Sequence, residues 1–358
     1  MSNTNVFARR PTSHASSVTG AVQRLGVLAL TVVAGMAVLT ACGNDSSANE
    51  VTMLTHDSFA LPQDVLDSFH TETGLTLKIV KSGDAGTLAS TVSLTPGSPK
   101  GDVVYGIDNT FASRPIDAGA LEPYLPPEAA NGAQEFALPD SHNELTAVDR
   151  GDVCLNIDDT WYSSRHQQPP KSLRDLRDQP YAGQAALIDP SVSSPGMAFL
   201  LSTIGILGSD WKSYWQALKA GGAAIAGGWE SAYNQLFTAG TGKGDKPIVL
   251  SYASSPAATP GTSALLDGCF RQVEYVGVLK GAQNAAGARK VVDFMLSPAV
   301  QRALPSSMYV YPVRRNTPLP DGWAQRAPLP QWTVSMPPKY IAENRESWLD
   351  QWRAAVGR

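Results

Sequence analysis

The chain lacks the short signatures by which most enzymes announce themselves. It has no GxSxG elbow, no HExxH pair, no Walker loop, no dinucleotide glycine fingerprint and no EF-hand loop. Histidine is scarce, with five in 358 residues. His14 sits near the amino terminus, His56 and His142 stand apart, and His70 and His166 read as ordinary surface groups. No nucleophile triad is evident, and no Tyr-Tyr pair is present to suggest a ferric-ion ligand set. Positive charge is in deficit, with 28 Lys and Arg against 32 Asp and Glu and a formal net charge of −4. That balance argues against a broad nucleic-acid surface. Cysteine is limited to Cys42, Cys154 and Cys269.

The amino-terminal residues read as an export leader. Positions 1–41 contain Arg9, Arg10 and Arg24, no acidic residue, and an apolar run over 25–39 that is short for a membrane span. The stretch LTAC (39–42) resembles the lipobox of bacterial lipoproteins. It predicts a signal peptide over 1–41, lipidation of Cys42, a tether over 42–50, and a protein held at the outer face of the cytoplasmic membrane. An uncleaved anchor is the competing reading. The spacing of Cys154 and Cys269 fits no metal or redox motif. Export permits a disulfide between them, and two separate buried thiols are the alternative reading.

Beyond the leader, VTMLT (51–55) reads as a strand. QDVLDSFHTETG places Val65, Leu66 and Phe69 at helical spacing and stops at Gly74. LTLKIV (75–80) and GDVVYGIDN (101–109) read as further strands, with GDAGTLASTVSL between them as a loop entering a helix. This repetition predicts α/β lobes with a largely parallel sheet, whose ligands collect at strand carboxyl ends. His56, Asp57 and Ser58 would there meet Asp108 and Asn109. The pattern restarts at LTAVDRGDVCLNIDDTWY (145–162), continues through the helix DWKSYWQAL (210–218), and reaches the strand VEYVGVLK (273–280). The expected organisation is lobe 1 over 51–147 and 276–358, lobe 2 over 148–275, and a ligand cleft between them.

Aromatic and hydroxyl groups cluster beside strand ends. In GGWESAYNQLF (227–237) a helix puts Trp229 and Tyr233 on one face. Tyr252 ends the strand IVLSY, and Tyr309 occurs in PSSMYVYPV, with Tyr311 alternating away. Such ring faces enclose a planar cation, or they complete the cores. In SVSSPG (191–196) Pro195 suits a first helical position. Ser193 and Ser194 then either receive an oxyanion or cap their own helix, and Ser254 poses the same choice.

Taken in order, HDSF, GDVVYGIDN, IDPSVSSPG, GGWESAY, VLSYASSP and PSSMYVYPV resemble the thiamine-binding proteins of bacterial ABC importers over about residues 51–355. The resemblance implies a two-lobed periplasmic-binding-protein fold without catalysis or cofactor. It implies thiamine as ligand, with its mono- or diphosphate also accepted, an ABC permease as partner, and a monomer. Trp229, Tyr252 and Tyr309 match the family's aromatic positions. Tyr309 stands where a relative has tryptophan and His56 where it has tyrosine, while ALPQDV replaces a segment with a further tryptophan. Asp57 keeps an acidic position, and Asp108-Asn109 and Ser193-Ser194 keep a polar rim. Asp57 or Asp108 is then expected to balance the thiazolium charge. Protonation of His56 would oppose that cation and weaken binding below roughly pH 6. The alternatives are a carrier of ferric ion or another small organic cation, and a secreted phosphate-ester hydrolase.

Overall fold

The structure, a computed structural model, describes residues 49–358 apart from Asp140 and Gly242. The leader, Cys42 and the tether through residue 48 lie outside the described residues. Among the described residues ten strands form one sheet: β1 (Glu50–Thr55), β2 (Thr76–Lys81), β3 (Val103–Asp108), β4 (Leu121–Glu122), β5 (Thr146–Asp158), β6 (Ala185–Ile188), β7 (Ala224–Ala226), β8 (Ile248–Tyr252), β9 (Thr262–Leu279) and β10 (Tyr311–Pro312). Their hydrogen-bonded order is β2-β1-β3-β9-β5-β8-β6-β7, with β4 added to β9 and β10 to β5.

The sheet is parallel at its two ends and antiparallel in its middle. β1 pairs parallel with β2 and β3, and β6 pairs parallel with β7 and β8. Between these sets, β9 runs antiparallel to β3 and β5, and β5 antiparallel to β8. A largely parallel sheet therefore describes each end but not the centre. The long strands β5 and β9 pair with β3, β4 and β10 toward one end and with β8 toward the other, so they join the two parallel sets. Cys154 on β5 and Cys269 on β9 are joined by a disulfide. It lies where the register between these strands shifts, between Val153 and Leu155.

Alternation along the strands covers both faces. Val51 and Met53 of β1 pack with Phe69, Val103, Val291 and Val292, whereas Leu54 turns to Leu88, Val104 and Ile107. A fully buried side chain of this size contributes about 1.5–3 kcal/mol. In the helix Trp211–Ala220, Trp211, Tyr214, Trp215 and Leu218 form the buried stripe that their spacing predicts. The terminal helix Pro338–Val356 sets Trp352 edge-on against Trp215, at 5.8 Å and 89°. Its Arg345 Nη1 donates to the Thr110 carbonyl at 2.8 Å, beside the first parallel set. Among the described residues no helix is long and apolar enough to cross a membrane.

Candidate functional site

Loops at the carboxyl ends of strands from both parallel sets converge on one gap. His56 and Ser58 follow β1, Asp84 follows β2, Ser194 follows β6, Trp229 follows β7, and Tyr252 ends β8. Glu274 projects from β9, and Tyr309 stands just before β10. Together they line a cavity with a free volume of about 30 Å³. An adjoining groove of about 210 Å³ shares Ser58, Asp84 and Trp229 and runs out past Asp57 and Glu230. The cavity itself has room for little more than a pair of waters. A two-ring ligand therefore needs the lobes to part or the rings to move.

Trp229 is fixed from several directions. Its backbone N–H donates to Asp84 Oδ2 at 3.0 Å, and its indole Nε1–H donates to Ser251 Oγ at 2.9 Å. Its ring stacks on Tyr233 at 4.8 Å and 12°. Gly228 makes the first contact feasible, because a Cβ there would lie 2.9 Å from Asp84 Oδ2. The chain then widens into a π-helical turn over Ser231–Leu236, a device often found at binding sites. Tyr309 completes the ring cluster, 6.1 Å from Trp229 and 6.2 Å from Tyr233. It adopts a left-handed backbone with φ 59°, a costly conformation for a tyrosine. The Ser254 hydroxyl donates to its carbonyl and holds it there. Tyr311 turns away, donating to the Ala327 carbonyl at 2.7 Å and meeting Trp323 edge-on.

Carboxylates supply the charge. Glu274 Oε1 accepts from Gln272 Nε2 at 3.0 Å. Glu274 Oε2 lies 3.1 Å from the Tyr105 hydroxyl and 3.6 Å from His56 Nε2. The same Tyr105 hydroxyl donates to the buried Asp149 Oδ2 at 2.5 Å. Burial, then the neighbouring Glu274 charge, pushes the Asp149 carboxyl well above its usual range. Asp84 is raised by burial, against the pull of the Trp229 and Ala85 amides that it accepts. Gln272 Nε2 also reaches the Tyr252 hydroxyl at 3.3 Å. Neither lysine nor arginine lines the cavity or the groove.

The cavity thus brings together His56, Ser58, Ser194, Trp229, Tyr252 and Tyr309, with Asp57 on the groove. Tyr233 backs Trp229, its hydroxyl 2.8 Å from Thr259 Oγ1, and Ser254 backs Tyr309. Asp108 is fully buried behind the lining and accepts from Thr110 Oγ1 at 2.8 Å. Burial pushes its pKa up to about 6, against the opposing hydroxyls of Ser194 and Thr110. Asn109 spends its amide on β9, accepting from Val273 N at 2.9 Å and donating to the Arg271 carbonyl at 3.2 Å. Ser193 Oγ stands near Asp84 and Ser194 Oγ near Asp108, close enough to favour each ionised carboxylate. Neither hydroxyl completes a hydrogen bond of full geometry. Both precede or open the helix Ser194–Leu207 without capping it.

Two lining acids escape a motif-based reading, Asp84 and Glu274. Asp84 follows β2 just as Asp57 follows β1, so the strand-end rule reaches it once the strand is placed. Glu274 is the lone acid in the otherwise apolar VEYVGVL, and a charge inside a buried strand is the available signal. Among the described residues no three His, Cys, Asp or Glu side chains are grouped to hold a metal ion.

Residues 98–333 match the bacterial extracellular solute-binding protein family. A thiamine-binding periplasmic protein of Salmonella typhimurium is 29% identical over 341 residues, covering 89% of this chain and 98% of the relative. A solved periplasmic thiamin binding protein is 27% identical with a TM-score of 0.77, covering 86% of this chain and 96% of that one. A ferric binding protein from Campylobacter jejuni superposes with a TM-score of 0.68 at 16% identity, over 85% of this chain and 99% of that one. At that identity the likeness concerns the fold alone, a two-lobed periplasmic-binding-protein architecture.

Proposed function

This chain belongs to the bacterial extracellular solute-binding protein family, and from that footing we propose that it captures thiamine and delivers it to an ABC permease. The observation that carries the reading is the pairing of two carboxylates, the buried Glu274 and the half-buried Asp84, with the ring faces of Trp229, Tyr252 and Tyr309 at one cavity. Thiamine carries a permanent positive charge on a flat thiazolium ring. Electron-rich faces and a fixed carboxylate suit that charge, most of all where water is excluded. The names of the relatives point the same way.

In this reading the lobes, 51–147 with 276–358 and 148–275, part and close about β5 and β9. Closure follows from tighter binding to the closed form, with no bond made or broken. Trp229 and Tyr252 offer faces to the thiazolium, and Tyr309 and His56 border the pyrimidine. The start of the helix Ser194–Leu207 is where a phosphate ester would lie. Cys42 anchors the chain by lipid, and the protein works as a monomer.

Titration calorimetry of the purified protein against thiamine and its phosphate esters tests the proposal. One saturable site is expected, with every ester recovered intact. Hydrolysed ester, or no saturable heat with thiamine, rejects it. A Trp229→Ala variant is expected to lose roughly 1–2 kcal/mol of affinity, about five- to thirtyfold. Unchanged affinity in a folded variant removes Trp229 from the ligand.

A further inference from the structure

The cavity contains a titratable base of its own. His56 leaves β1 with only 6% of its side chain exposed, and its Nε2 lies 3.6 Å from Glu274 Oε2, which is equally buried. No hydrogen bond of full geometry satisfies that nitrogen. Its ring tilts against Tyr105 at 5.8 Å and 42°. Glu274 on β9, Asp84 after β2 and the neighbouring Asp57 act on the imidazole, and Tyr105 on β3 packs against it; Asp149 on β5 and Tyr252 on β8 stand one contact further, through Tyr105 and Gln272. No lysine or arginine competes for Glu274 within the cavity.

We propose that binding here is an exchange: an organic cation takes over the field of Glu274 as His56 gives up its proton to solvent. The proposal rests on the thiamine reading and names the regulation of that site. Two positive charges a few ångströms apart in a water-poor cavity repel strongly, and both would draw on the same Glu274 carboxylate. The covalent balance is simple. The Nε2–H bond of the imidazolium breaks, the proton goes to water or buffer, and the ring stays as a neutral acceptor. Burial opposes the charged imidazole, but Glu274, then Asp84 and Asp57, outweigh it and hold the pKa above its ordinary value. The sign follows from this. The competing proton is in place at low pH, so affinity falls as pH falls. The loss begins above the ordinary imidazole value of ~6.5, rather than at the lower pH that an unperturbed histidine predicts. Glu274 thereby sets both the charge preference of the site and its proton sensitivity.

The test is calorimetry of the whole protein with thiamine from about pH 6 to 8.5, in two buffers of different ionisation enthalpy. The wild type is expected to release up to one proton per bound thiamine at the acid end and none at the alkaline end. Its affinity should drop up to about tenfold per pH unit below the His56 pKa. His56→Gln should bind with a nearly flat profile and no release from this site; any titration of the ligand itself persists there and is subtracted. Glu274→Gln should bind more weakly and shift the proton release to lower pH. Circular dichroism melts confirm that each variant is folded. Strong thiamine binding without proton release, or a pH dependence retained in His56→Gln, overturns the exchange and leaves the thiamine reading standing. Absence of thiamine binding by the wild type at every pH overturns that reading and the exchange with it.

Discussion

Gly106→Ala is expected to unfold about 3 kcal/mol more easily than the wild type and to lose at least tenfold in thiamine affinity. Gly106 sits at a bulge in β3, where the register against β9 shifts between Tyr105 and Ile107. Its φ is +97°, and an added Cβ would stand 2.0 Å from His56 Cδ2. The backbone strain alone costs on the order of 1–3 kcal/mol, and the imidazole cannot keep its place beside Tyr105. Either the ring is driven into a cavity with little spare volume, or the bulge is undone. Urea unfolding midpoints and a thiamine titration read the two effects separately. Wild-type stability and affinity together would mean that His56 does not occupy the position described here.

Losing the Cys154–Cys269 disulfide is expected to cost roughly 4–5 kcal/mol, since it closes a loop with a sequence separation of 115. The bond joins the two strands on which both lobes are built, beside the shift in their register. Cross-linking there removes many conformations from the unfolded chain and ties β5 to β9 at the shift. Unfolding with and without reductant, alongside a Cys154→Ser and Cys269→Ser double variant, measures the effect. An unchanged midpoint would show that the link contributes nothing to the folded state.

Local periodicity carried much of the fold. The stripe through Trp211, Tyr214 and Trp215 and the stop at Gly74 are each written within a few residues, and each is realised. The centre of the sheet is different. β9 runs for 18 residues from Thr262, although the sequence reads as a strand only from Val273. Its pairing with β5 carries it back to Thr262 across the register shift around Gly268, whose φ is +80°, and that partner lies more than a hundred positions away. The same distance kept the state of Cys154 and Cys269 open in the sequence.

The site divides along a similar line. Trp229, Tyr252 and Tyr309 follow or end strands, where a binding side chain is expected, and they line the cavity. Asp108 and Asn109 occupy an equivalent strand end, yet they serve Thr110 and the β9 backbone. Sequence shows a polar residue at a strand end; it does not show which backbone groups that residue must satisfy. Glu274 was obscured for the opposite reason. It sits in the body of a strand, and only the approach of His56 and Tyr105 from other strands reveals which way it faces.

The most direct test of the account is a crystal structure of the protein grown with thiamine. The thiazolium ring is expected between Trp229 and Tyr252, its positive charge toward Glu274, and Tyr309 beside the pyrimidine, with the lobes closed about β5 and β9. Thiamine bound elsewhere on the molecule, or these rings packed together with the ligand excluded, would contradict it.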